Sequence, residues 1–126
     1  MKFHIAAPGP HNTFTGYGEG FVSVNGARHE TGAATGLIVT PERVLRWDAC
    51  DFEALEEAHF GVFLDLELEV LLLGTGPRQR FPHPRLTRAL AARRVGVEAM
   101  DTQAACRTYN ILVDEGRRVA AALLFR

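Results

Sequence analysis

The chain has 126 residues, 47% hydrophobic and 23% charged, long enough to bury a core as one domain without disulfide or metal staples. A net charge of −1 gives no general drive toward nucleic acid or an anionic membrane surface. Two cysteines, Cys50 and Cys106, make neither a disulfide framework nor a metal set.

Taken from the start, the apolar run of Met1–Ala7 is cut off by Pro8-Gly9-Pro10, too short for a secretory signal, and no stretch reaches transmembrane length. The expectation is a reducing, cytoplasmic location. Residues 8–20 carry Pro, Gly, Asn and Thr and read as loop, with a short strand around Phe14–Tyr17. Phe21–Val24 alternates, Asn25-Gly26 suits the positive φ values of a type I′ turn, and Ala27–Glu30 returns. After a loop over residues 31–36, Leu37–Thr40 and Val44–Trp47 flank Pro41-Glu42-Arg43 and predict a second antiparallel pair.

Asp51 can cap a following helix, in which Phe52, Leu55, Ala58, His59, Val62 and Phe63 share one stripe and Glu53, Glu56 and Glu57 the other side. His59 lies in the apolar stripe with no second ligand at i±3 or i±4, so it reads as a packed histidine with one hydrogen-bond partner. Leu68–Leu73 is almost uninterrupted in hydrophobicity, as is Val119–Phe125, which predicts parallel strands covered on both faces. Val95–Met100 has Glu98 in its middle and belongs toward a sheet edge. The helix Pro84–Arg94 starts with proline in its first turn, turns Leu86, Ala89 and Leu90 inward, and stops at Gly96.

The helix from Thr102 to Glu115 carries Ala104, Ala105, Thr108, Tyr109, Ile111, Leu112 and Val113 over more than half of its circumference. Only Arg107, Asn110 and Asp114 make a clear polar ridge, with Cys106 at its border. So apolar a helix has to sit between the sheet and a further layer, either the N-terminal hairpins or the first helix. Strands and helices together read as β-α-β-α-β, a parallel sheet with helical crossovers of right-handed sense.

Charge is unevenly spread. No Lys or Arg lies between Arg46 and Arg78, an interval holding eight carboxylates from Asp48 to Glu69. The stretch from Arg78 to Arg94 is basic in turn. Two solvated helix faces of opposite sign explain this; one acidic and one basic docking surface is the alternative.

Several runs then resemble a known family. They are Leu71–Gly76, Phe81-Pro82, Gly96–Leu112 and Glu115–Leu123, with Tyr17-Gly18, the Asn25-Gly26 turn and Trp47 upstream. Together they resemble the Mth938-domain family, which includes relatives of the mitochondrial complex I assembly factor 3, and the likeness covers nearly the whole chain. The resemblance implies an α/β, three-layer (β+α)/β/α fold: a parallel or mixed central sheet with N-terminal β-hairpins. For the mitochondrial relative it implies a non-enzymatic role in assembling a respiratory complex. It brings no catalytic residues to carry over.

The loop Gly74-Thr75-Gly76 invites a nucleotide-binding reading. It lacks the third glycine of a dinucleotide fingerprint and the Gly-Lys-Ser/Thr of a P-loop, and Pro77 removes an N–H donor. Glycines that let the chain turn sharply off a buried strand explain it more simply. The loop does end a parallel strand, where crevices form, and Arg78 and Arg80 could hold an anion there. Asp101 at the neighbouring edge reads as the N-cap of the helix opened by Thr102. Cys106 lies past the helix-terminal donors that would activate a thiol. Arg107 and Asn110 read as an internal polar clasp or as part of a site, and Tyr109 as core with its hydroxyl bonded to backbone.

Two readings of function follow. One is a non-catalytic interaction or assembly protein with a protein partner, no nucleic acid, no cofactor, at most peripheral contact with a membrane complex, and a monomeric or weakly dimeric state. The other is a small-molecule or anion binder, or an enzyme, using the crevice at Gly74–Arg80 and Asp101–Arg107. Its candidate residues are Gly74, Thr75, Gly76, Arg78, Arg80, Asp101, Thr102, Arg107 and Asn110.

Overall fold

The computed structural model describes residues 11–30 and 35–126. The readings of Met1–Pro10 and of positions 31–34 lie outside the described residues. Strands β1 (Phe14–Gly18), β2 (Phe21–Val24) and β3 (Ala27–Glu30) form an antiparallel three-stranded sheet. Its second turn has the expected chemistry, with Asn25 at φ 51° and Gly26 at φ 84°.

A central sheet is built from β4 (Gly36–Val39), β5 (Val44–Trp47), β6 (Val70–Thr75), β7 (Gly96–Met100) and β8 (Val119–Leu124), in the order β5-β4-β8-β6-β7. As expected, β6 is parallel to both β7 and β8, and β7 is an edge. The second hairpin, β4–β5, does not cover a face. It extends the central sheet through antiparallel pairing of β4 with β8, so the sheet is mixed.

Every residue of β6 and of β8 is buried, which requires a cover on each face. Helix α1 (Arg88–Ala92) joins β6 to β7, and α2 (Thr102–Asp114) joins β7 to β8. The two steps run in opposite directions across the sheet, and their helices lie on opposite faces, as crossovers of one hand require. On one face Tyr109, Cys106 and Ala105 of α2 pack on Val70, Leu72, Ala121 and Leu123, with Phe14, Tyr17 and Val22 beyond them. The layer outside α2 is thus the small N-terminal sheet. On the other face Trp47, Phe60, Phe63, Leu86 and Leu90 cover Leu71, Leu73, Ala120 and Leu124.

The segment after Asp51 departs from the expected α-helix. Asp51 does cap it, accepting from the Ala54 N–H at 2.9 Å, but Leu55 and Glu56 are extended and split it into 3₁₀ segments Phe52–Ala54 and Glu57–Asp65. The aromatic packing explains the tighter winding. Phe60 and Phe63 both contact Trp47, at 5.7 and 5.6 Å between ring centroids, and residues three apart eclipse in a 3₁₀ helix, whereas an α-helix would turn them about 60° apart. The Trp47 indole N–H also takes the His59 carbonyl, at 2.9 Å, which an α-helix would have given to Phe63. The α-helical stripe therefore misassigns Ala58 and Val62, which are exposed, and omits Phe60, which is buried. His59 is half-buried and its Nδ1 accepts from the Glu56 N–H.

Other boundaries shift for local reasons. The stretch Pro84–Arg94 is a 3₁₀ turn (Pro84–Thr87) followed by α1, and the left-handed residue that ends it is Arg94, at φ 61°, not Gly96. The Val95 N–H bonds back to the Leu90 carbonyl, a Schellman closure. On α2, Cys106 is fully buried rather than bordering the polar ridge, and Ile111 is 60% exposed rather than part of the apolar arc. Ile111 belongs to neither buried cluster, whereas its neighbours Tyr109 and Val113 face the core.

The start of β6 is held by Glu69. Its carboxylate accepts from Arg117 Nε at 2.9 Å and from the Arg118 N–H at 3.2 Å, and its backbone N–H bonds to the Arg118 carbonyl. The backbone and guanidinium donors hold its carboxyl below the usual value of 4.5. A lowered folded-state value means that the stabilisation is present above 4.5 and is lost as pH falls through the folded value. Glu69→Gln should therefore lower the urea midpoint at neutral pH, by a modest amount because the group is solvated. The difference from wild type should shrink below pH 4.5; a difference that grows on acidification would contradict this role.

Candidate functional site

At the C-terminal ends of β6 and β7 the chain leaves the sheet through Gly74–Arg80 and re-enters at Asp101. Gly74 is where α2 crosses the strand most closely. A Cβ there would lie 2.8 Å from Leu123 Cδ2 and 3.0 Å from Thr102 Oγ1, so only glycine fits. Gly76 takes φ 89° and its backbone pairs with Thr102: the Thr102 N–H donates to the Gly76 carbonyl, and the Gly76 N–H donates to Thr102 Oγ1, each at 2.9 Å. The same hydroxyl donates to the Leu124 carbonyl. Thr102 thus joins β6, β8 and α2 through one buried oxygen.

Thr75 is also fully buried, and its hydroxyl sits 2.7 Å from the Arg78 carbonyl and 3.1 Å from the Met100 carbonyl while accepting from the Arg80 N–H. Asp101 caps α2 as expected, its carboxylate accepting from the Ala104 N–H at 2.9 Å. Gly74, Thr75, Gly76, Asp101 and Thr102 are therefore brought together.

The other candidates point elsewhere. Arg78 is exposed on the loop. Arg80 folds back, donating to the Thr75 carbonyl at 2.6 Å and lying over the Phe52 ring at 4.7 Å, with Glu53 at 3.9 Å. Arg107 donates to the Tyr17 hydroxyl at 2.7 Å. Asn110 makes a two-bond clasp with Phe14, accepting from its N–H and donating to its carbonyl, both at 2.8 Å. Arg107 and Asn110 thus hold the small sheet onto α2.

Between the loop and the small sheet opens a crevice of about 320 Å³. Gly76, Pro77, Asp101 and Thr102 form one wall; Glu19, Phe21, Gln103 and Phe125 complete it. Glu19 and Phe21 were not foreseen, because the sequence does not reveal that the β1–β2 turn comes to this edge. A larger groove, about 500 Å³, opens at the opposite end of the sheet beside Arg43, Arg117 and Arg118. The last two of these are engaged by Glu69.

Burial pushes the Cys106 thiol up to about 12, only partly offset by the charge of Arg107. Burial likewise raises the Tyr109 phenol, whose hydroxyl donates to the Asn12 carbonyl at 2.9 Å, the backbone partner expected of it. Among the described residues no cluster of three His, Cys, Asp or Glu side chains could hold a metal ion.

This architecture can be set beside known proteins. The family described as "Protein of unknown function (DUF498/DUF598)" matches residues 14–124. The chain belongs to that family. The chain is also similar to the bovine (Bos taurus) NADH dehydrogenase [ubiquinone] 1 alpha subcomplex assembly factor 3, 37% identical over 86 residues. That match takes in 67% of this chain and 47% of the relative, so the chain spans about half the length of the curated protein. Among solved structures, a Bordetella parapertussis protein superposes with a TM-score of 0.85 at 43% identity, covering 95% of this chain and 100% of that one. A Bordetella pertussis protein described as a Mth938-like domain superposes at 0.76 with 38% identity, covering 98% and 92%. The fold of the DUF498/DUF598 chain is therefore Mth938-like.

Two measurements check the site. Asp101→Ala should cost about 1 kcal/mol and Asp101→Asn much less, because Asn also caps; equal urea midpoints for all three proteins would remove the capping role. With an aromatic disulfide reagent, the half-buried Cys50 should react in the native protein and the buried Cys106 only after unfolding. Equal rates at both would contradict the packing of α2.

Proposed function

We propose that the protein is a non-catalytic interaction protein, assembly-factor-like, that works by binding another protein. The observation that carries this reading is the identity with a relative named as a respiratory-complex assembly factor. The crevice supports it from the physical side. The Thr75 and Thr102 hydroxyls bond backbone groups of the loop and the strand ends, one Asp101 carboxylate oxygen caps α2, and Arg80 is turned toward Phe52. A group that serves chemistry has to be available to a substrate, and the one thiol on α2 is buried with a raised pKa. No described helix is long and apolar enough to cross a membrane.

Small-molecule or anion binding in the same crevice is the competing reading, and it would rest on Gly76, Arg78, Asp101 and Thr102. Affinity capture of the tagged chain from crosslinked native extract, membranes included, separates the two. The expected result is co-enrichment of subunits of one multi-subunit complex over an untagged control. Loss of all protein partners, together with thermal stabilisation by a phosphate-containing metabolite, would reverse the assignment.

A further inference from the structure

The small sheet runs in the order β1-β2-β3, and among the described residues no strand pairs with the outer side of β3. The register decides which backbone groups face that side. The Asn25 N–H donates to the Thr13 carbonyl, on the β1 side of the sheet. By alternation the backbone groups of Phe21 and Ser23 also point to β1, and those of Val22 and Val24 to β3. Val22 and Val24 stand opposite His29 and Ala27, whose N–H and C=O groups are thereby turned inward. Those of Arg28 and Glu30 are turned outward, and both residues are exposed. Their side chains share one face of the sheet, 2.6 Å apart, with Arg28 over the Phe21 ring.

Bare backbone groups at an edge invite a further strand, and charge is the usual protection. Charges of one sign would repel any copy of the same strand. Arg28 and Glu30 have opposite signs and lie symmetrically about His29. This protection fails against one partner.

We propose that β3 pairs antiparallel with β3 of a second copy, across a two-fold axis normal to the sheet at His29. Arg28 then faces Glu30 of the second copy, and Glu30 faces Arg28 of the second copy. Each of these pairs exchanges both of its backbone hydrogen bonds, and the two small sheets become one. A two-fold contact must satisfy itself within one patch, and this one does. The alternative registers centred on Arg28 or on Glu30 oppose like charges directly, which is unfavourable. The β7 edge of the central sheet lacks the same property. There the Gly96 N–H is turned to Glu69, so the backbone groups of Val97 and Ala99 face outward. A two-fold register that engages both of them sets Glu98 against Glu98. A contact between four-residue strands is small, so the β3 dimer is reversible and dissociates on dilution.

Sedimentation equilibrium of the full chain over a concentration series tests this. The expected mass rises from 13.9 kDa toward twice that value, and added salt weakens the association. Arg28→Glu alone and Glu30→Arg alone should each be monomeric, because all the facing charges then share a sign. An equimolar mixture of the two should recover the dimer, as should both substitutions in one chain. Recovery is a result that misfolding cannot give. His29→Cys in a Cys50→Ala background places two thiols at the close, non-hydrogen-bonded pair on the axis. Mild oxidation should link them into a covalent dimer. A wild-type mass fixed at 13.9 kDa at every concentration overturns the proposal. So does a dimer that persists in both single variants, or one that is lost in them and not recovered on mixing.

Discussion

The central pair β6 and β8 is buried along its whole length on both faces, and the rest of the structure follows from that constraint. Each fully buried leucine in these strands contributes about 1.5–3 kcal/mol relative to exposure, so neither face can be left wet. One face is closed by α2, which carries apolar side chains toward the sheet and away from it. Its outer side then needs a cover of its own, and β1–β3 supplies one. Phe14 meets Tyr109 edge-on at 5.1 Å, and the polar atoms beside this contact pair off through Asn110, Tyr109 and Arg107. The other face is closed by the aromatic group around Trp47 and by α1.

The parts legible in the sequence were those with a strong local signal. Continuous apolar runs gave β6 and β8, Asn25-Gly26 gave the first hairpin, and Asp101 gave the start of α2. The breadth of the apolar arc on α2 also predicted a third layer correctly. Contacts distant in sequence defeated local reading. Phe60 and Phe63 are three residues apart, a spacing compatible with either winding, and Trp47 selects the 3₁₀ form from outside the segment. The second hairpin read correctly as a hairpin, yet nothing local tells that β4 will pair with β8. The crevice was half legible for the same reason: Gly74–Gly76 and Asp101-Thr102 stand at strand ends, whereas its far wall comes from a turn more than fifty residues upstream.

The charge asymmetry is explained by topology. The acidic segment 52–65 and the basic segment 78–94 lie side by side over the same face of the sheet, joined at Glu53–Arg80, at Glu57–Arg88 and by Arg93 to the Leu64 carbonyl. The two ion pairs are long, at 3.9 and 3.8 Å, and each has at least one exposed partner, so they are worth little individually. Their consequence is a surface that carries both signs close together, so that the chain repels neither acidic nor basic partners as a whole.

Polar groups at the strand ends follow a different rule. Thr75 and Thr102 are buried with their hydroxyls bonded to backbone on more than one element, and a buried hydroxyl used this way fixes relative position. Where α2 approaches β6, the absence of a Cβ at Gly74 permits the contact and Thr102 makes it specific. The close approach carries the start of α2, and with it Asp101 and Gln103, to the rim of the crevice. The shape of the rim is therefore set by rigid elements and by the Asp101 cap, whereas Glu19 and Gln103 stand exposed on it. Such a division lets relatives share this scaffold while presenting different surfaces to their partners.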